Sequence, residues 1–201
     1  MNSKEANNIV GKLSRTSKMP CHSYNLPATR CITGSKMAKI KGTTCYDCYA
    51  LKGMYNFPCV KNAMERRYKA ISNPEWVFAM SVLINSKKSK YFRWHDSGDI
   101  QSLEHLQKIF EVCKATPSIK HWLPTRESQI LAQVKKEDVP ENLVIRLSAI
   151  KVDCNAPKSW PLTSTVLTKN ADCPAYRNEG KCGDCRRCWD KNIKNVSYPL
   201  H

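Results

Sequence analysis

The stretch "KYFRWHDSGDIQSLEHLQKIFEVCKA", residues 90–115, decides the fold. Its first five residues, 90–94, form an aromatic run of the kind a buried strand carries. The run stops on His95, Asp96, Ser97, Gly98 and Asp99, and from residue 102 to 115 the apolar positions recur at helical spacing. The same rhythm continues downstream. "IKHWL" (119–123) reads as a second strand, "ESQILAQVKK" (127–136) as a second helix, and "NLVIRLSAI" (142–150) as a third strand. Strand and helix alternating at this period imply βαβ crossovers, hence a parallel sheet. Three strands are too few for a closed eight-stranded barrel. The expected fold is therefore α/β, a partial or degenerate (β/α) TIM-like barrel with cysteine-rich metal-binding segments attached.

Upstream, "VKNAMERRYKAI" (60–71) and "PEWVFAMSVLIN" (74–85) read as helices, the second opening on Pro74 after Asn73. Residues 1–18 are polar and expected to fray. The chain thus reads as one domain, 1–201. It comprises a cysteine-rich, turn-rich segment (19–59), an α/β core (60–153), and a second cysteine-rich segment (154–201) without clear strand or helix before about Cys185.

A hydrophobic content of 41% and a charged content of 25% are ordinary for a globular domain. The balance of charge is not. Lys and Arg number 33 against 17 Asp and Glu, a net charge of +16, which favours a polyanionic partner such as DNA or RNA. No stretch approaches the apolar length of a membrane span, and the N-terminus lacks an apolar signal core. A cytoplasmic protein is expected, in a compartment that keeps thiols reduced. The 11 cysteines then point to metal ligation rather than disulfides.

Ligands of parallel α/β sheets bind beyond the carboxyl ends of the strands. Those ends carry His95, Asp96, Ser97, Gly98, Asp99 and Gln101, then Thr125, Arg126 and Glu127, then Ser148 and Asp153. Carboxylates with an imidazole nearby can divide nucleophilic and acid–base work if burial separates their pKa values. His95, Asp96, Asp99 and Asp153 are the catalytic candidates, and the others would bind substrate. The plainer alternative is that Asp99 and Ser102 cap the next helix while His95 fills the core.

Cys182, Cys185 and Cys188 follow C-x2-C-x2-C spacing, with Cys173 nine residues upstream before Pro174. Two-residue spacers let thiolates converge on one ion from a tight turn, so these four form the principal metal candidate. Zinc fits a four-thiolate site, and an iron–sulfur cluster is the alternative. Cys45 and Cys48 form a further C-x2-C, which Cys31 and Cys59 could complete as a second metal site; one C-x2-C is also a redox motif. Cys113 lies on an apolar helix face. Tyr46, Tyr49, Tyr55, Phe57, Arg66, Arg67 and Tyr68 mix aromatics with basic residues, which would stack bases and grip phosphates if exposed.

"DSGDIQ" (96–101) is similar to the DSGGFQ element of tRNA-guanine transglycosylases, and "LPTR" (123–126) to their LPTR string. That resemblance implies exchange of guanine for a 7-deazaguanine on a TIM barrel with a C-terminal zinc site. Asp96 would contact the base, and Ser97, Gly98 and Gln101 would shape its pocket. The family's nucleophilic aspartate falls at Lys120, so attack would pass to Asp99 or Asp153. The wider pattern resembles a phage-encoded "gene product eighty-eight" family. It runs from "CYDCYALKG" (45–53) through "FRWHDSGDIQS" (92–102), "HWLPTRE" (121–127) and "CGDCRRCW" (182–189) to "NVSYPLH" (195–201). Together these imply a small relative of the DpdA-type transglycosylases that place 7-deazaguanines in phage DNA, acting in the cytoplasm of an infected cell. Two other readings compete: an iron–sulfur, radical-SAM-like enzyme on a partial barrel, and a non-catalytic nucleic-acid-binding protein stapled by zinc.

Overall fold

A computed structural model describes residues 1–200. The aromatic run is a strand, Tyr91–Trp94, at the heart of a seven-stranded sheet whose spatial order follows the sequence. The strands are β1 (Ser14–Arg15), β2 (His22–Tyr24), β3 (Tyr91–Trp94), β4 (Lys120–Thr125), β5 (Leu143–Ser148), β6 (Thr163–Leu167) and β7 (Asn195–Pro199). β1 runs antiparallel to β2, and every later neighbour is parallel. No pairing joins β1 to β7 among the described residues, so the sheet has two open edges and no closed barrel is shown. β5 is buried along its whole length, as expected of a strand covered on both faces.

Six α-helices accompany the sheet among the described residues: α1 (Ser3–Val10), α2 (Ile32–Met37), α3 (Pro58–Ala70), α4 (Trp76–Asn85), α5 (Leu103–Ala115) and α6 (Ser128–Leu131). A parallel sheet of sequential order with right-handed crossovers places its connecting helices on one face. The main core lies there, with Tyr24, Phe92, Trp94, Leu123 and Ile145 of the strands against Trp76, Met80, Leu83, Leu106 and Ile109 of α4 and α5. On the opposite face a smaller cluster joins Trp122 and Val144 to Cys21 and Trp189. The cysteine-rich segments cover that face.

Three expectations are corrected. Residues 1–18 are ordered: Asn2 and Glu5 form a capping box, Gly11 closes α1 in the left-handed region at φ 77°, and Ala6 and Val10 are buried. The helix expected over 127–136 is one turn, Ser128–Leu131. Beyond Val134 the run Lys135, Lys136, Glu137, Asp138 has no apolar side to bury, and it forms a short 3-10 turn. The tail contains a full strand, β6, where none was expected before about Cys185, and it ends in a second, β7. Their polar alternation, Thr-Ser-Thr and Asn-Val-Ser, hides the β pattern, yet they pair with each other over five residues.

Candidate functional site at the carboxyl rim

The chain leaves β3 through two left-handed residues, His95 at φ 54° and Gly98 at φ 77°. Gly98 is obligatory because a β-carbon there would stand 2.6 Å from Leu26 Cβ. The turn buries His95, Asp96, Ser97 and Asp99. His95 points into the core, within 5.4 Å of the His105 ring, and its Nδ1 bonds the Tyr24 carbonyl at 3.2 Å. Burial lowers its pKa to about 3, so it is a neutral core histidine. Ser97 Oγ donates to the Leu26 carbonyl at 2.9 Å. Ser102, not Asp99, caps α5, accepting from His105 N at 3.1 Å.

The two carboxylates part company. Asp99 Oδ1 accepts from Ile100 N at 2.8 Å and Oδ2 from Arg126 N at 2.9 Å, so it ties the end of β3 to the end of β4. Burial outweighs those bonds and pushes its pKa up to about 6. Asp96 lies beside Asn25 instead. Asn25 Nδ2 approaches its Oδ2 at 3.5 Å, the Tyr49 hydroxyl donates to its backbone carbonyl, and Oδ1 is buried with no partner. Gln101 bonds the Asp99 carbonyl at 2.6 Å.

After β4, Thr125 Oγ1 accepts from Glu127 N at 3.1 Å, and Arg126 Nε donates to Thr44 Oγ1 at 2.9 Å. Buried Glu127 accepts from Thr33 N at 2.9 Å and Thr33 Oγ1 at 2.7 Å, fastening α2 to the rim. Ser148 pairs with Ser164 at 2.9 Å. Asp153 lies apart from this group on the surface, where both oxygens accept from Thr168 at 2.8 Å. Those bonds hold its pKa below the ordinary carboxylate value.

The loop after β2 brings Cys31, Cys45 and Cys48 to the rim. Burial pushes the Cys31 thiol up, and the nearby charges of Asp99, Cys45, Cys48 and Glu127 add to it. Cys59 is exposed on α3 and takes no part. The C-terminal cysteines also gather. Cys182 feels Cys173 and Cys185, Cys188 feels Cys173, and Cys21, which the sequence groups with the N-terminal cysteines, lies near Cys182 instead. Burial raises Cys21 to about 12 and Cys188 to about 11. Among the described residues no three Cys, His, Asp or Glu side chains converge tightly enough for a single ion. Cys113 is buried core, and Cys154 donates to the Lys151 carbonyl at 3.1 Å.

Sequence reasoning missed Arg93, Trp122 and Tyr198 on the helix-free face. Arg93 lies over the Trp122 ring at 4.5 Å, and Tyr198 stacks on Trp122 at 6.5 Å. Strand alternation, which turns Arg93 away from its neighbours Phe92 and Trp94, was the signal that could have found it. Of the interleaved aromatics, Tyr46, Tyr49 and Phe57 are exposed, whereas Arg67 is buried and bonded to Lys12 O and Asn25. A depression of about 550 Å³ between α1 and α3 is lined by Asn7, Lys12, Arg66 and Lys69.

No helix among the described residues is long and apolar enough to cross a membrane. No curated protein and no solved structure matches the chain. One family model does, over residues 1–159, a span that holds the rim, Arg93 and Cys31–Cys48 but stops short of the cysteines at 173–188. On that match the chain belongs to the gene product 88 family.

Proposed function

We propose that the chain is a metalloenzyme of iron–sulfur type, with Cys31, Cys45 and Cys48 holding a multinuclear centre at the carboxyl rim. The observation that carries this reading is the placing of the Cys31 and Cys45 thiols about the space Gly34 leaves, with Cys48 nearby. A β-carbon on Gly34 would stand 3.5 Å from Cys31 Sγ and 3.6 Å from Cys45 Sγ. Thiolates on one tetrahedral zinc stand about 3.8 Å apart, given Zn–S bonds near 2.3 Å. That spacing is the measure of a single-ion site, whereas Cys31 with the C-x2-C pair Cys45 and Cys48 offers the three thiolates of an iron–sulfur centre. Cys31, Cys45 and Cys48 would hold the group, and such a cluster would supply one-electron chemistry when bound. Glu127 steadies α2 through Thr33, and Asp99 locks the two strand ends around the site. The net charge of +16 supports a nucleic-acid partner, DNA in this reading.

Anaerobic reconstitution with ferrous iron and sulfide tests it. A brown protein is expected, and Cys31→Ala, Cys45→Ala or Cys48→Ala should remove colour and iron that Cys59→Ala retains. A colourless folded protein carrying zinc at these thiols would end the reading.

A second reading, DNA base exchange with a 7-deazaguanine, is favoured by the unpartnered Oδ1 of Asp96. Both oxygens of Asp99 and of Asp153 are engaged, so Asp96 becomes its nucleophile. Labelled 7-deazaguanine should enter DNA with the native chain and not with Asp96→Asn. Absence of transfer by native protein counts against it.

A further inference from the structure

We propose that Arg93 anchors an oxyanion subsite on the helix-free face, which takes the phosphate or carboxylate group of a small ligand stacked near Trp122. Two other buried arginines explain by contrast why Arg93 stands out. Arg146 directs its guanidinium at the carbonyls of Cys188, Thr163, Ile193, Arg187 and Asp190 at 2.8–3.3 Å. Arg67 is held by the Lys12 carbonyl at 2.8 Å and by Asn25. Arg93 has one weak contact, Nη1 to the Met19 thioether at 3.2 Å, and its buried Nε has no partner. No carboxylate forms an ion pair with it among the described residues; Asp96 is near, but its carboxylate turns to Asn25. A guanidinium this deep without an acceptor is costly, and such groups are normally found paired.

The surroundings fit a ligand. The sheet register sets Ser23, Arg93 and Trp122 in one row across β2, β3 and β4. Two further buried polar atoms of that row, Ser23 Oγ and Trp122 Nε1, also lack partners. Trp122 is clamped between Trp189 at 5.2 Å and Tyr198 at 6.5 Å, which fixes the guanidinium plane above it. Arg93 keeps accessible surface, and Arg186, above the Tyr91 ring at 5.2 Å, adds a second cation on the same face. A planar fork with free donors and a rigid base is the arrangement that recognises carboxylate or phosphate. The inference is independent of the rim thiols and of base exchange.

Thermal melts of the full chain with inorganic phosphate, acetate, a nucleoside monophosphate and, as control, chloride at matched ionic strength test it. At least one oxyanion should raise Tm by several degrees above the chloride control. A response to phosphate and the nucleotide but not acetate identifies phosphate as the source, and the converse identifies carboxylate. Arg93→Met should abolish the shift in a chain that still melts cooperatively. Asp96→Asn should keep or strengthen the shift. The proposal is overturned if no oxyanion shifts the native protein or if Arg93→Met keeps the shift. It is equally overturned if that variant melts lower and sheds metal from the C-terminal thiols, because Arg93 would then be their counter-charge.

Discussion

Acid should unfold this protein through three histidines. His95, His105 and His121 lie in the core between sheet and helices, each with one ring nitrogen lacking a partner. Burial lowers all three pKa values, His95 and His121 to about 3 and His105 well below the ordinary 6.5. A base whose folded pKa is depressed stabilises the fold fully above its unfolded pKa. That stabilisation is lost as pH falls through 6.5 toward the folded value. Between pH 7 and pH 5 each histidine therefore withdraws about 2 kcal/mol, and the three together about 6. Asp99 works in the opposite direction. Its pKa rises from 3.8 to about 6, so it takes up a proton in the folded state over the same interval. That returns about 1 kcal/mol, leaving a net loss of roughly 5 kcal/mol from a total typically of about 5–15. Urea unfolding at the two pH values measures it through the midpoint at constant m-value. His105→Leu should flatten the dependence by about 2 kcal/mol. A loss below about 1 kcal/mol in the native chain would mean the imidazoles are charged or hydrated, and the reasoning would fail.

Other substitutions read out separate parts of the structure. Gly98→Ala places a methyl 2.6 Å from Leu26 Cβ at φ 77°, and should cost about 2–4 kcal/mol in chemical unfolding. Arg146→Leu orphans the carbonyls it serves and should cost about 3–5 kcal/mol, with the loss appearing first in hydrogen exchange of β6 and β7. Asn2→Ala removes the capping box of α1 and should lower stability by about 1 kcal/mol, visible as a small drop in Tm.

What could be read from residues alone follows the strength of the apolar signal. Strands at 91–94, 120–125 and 143–148 and the helices at 58–70, 76–85 and 103–115 carry dense apolar periodicity, and each falls within a few residues of expectation. β2, with only Ser23 and Tyr24 buried, and the Thr/Ser-rich β6 offer no such contrast, because pairing with neighbours sets their conformation. At the rim, residue type pointed to the right loops but not to roles. Asp96 and Asp99, three residues apart, were grouped as one pair. A left-handed step at Gly98 sends Asp99 to the backbone of β4 and leaves Asp96 beside Asn25. Cys59 suited the C-x2-C by count, yet it sits on an exposed helix face, while Cys21 at the start of β2 joins the distant C-terminal thiols.

The placement of β6 and β7 bears on how the chain can be shortened. The family match ends at residue 159, four residues before β6 begins, and invites a cut there. Such a cut would remove the strand paired to Leu147 and Ser148 of β5, and Trp160, which bonds the Ile145 carbonyl, and so expose a strand that is buried throughout in the intact sheet. It would also strip away the carbonyls that surround the Arg146 guanidinium. An uncapped apolar strand next to an abandoned cation is a template for self-association. The last forty residues are thus a lid on the sheet's growing edge, and the smallest well-behaved version of this protein must carry them.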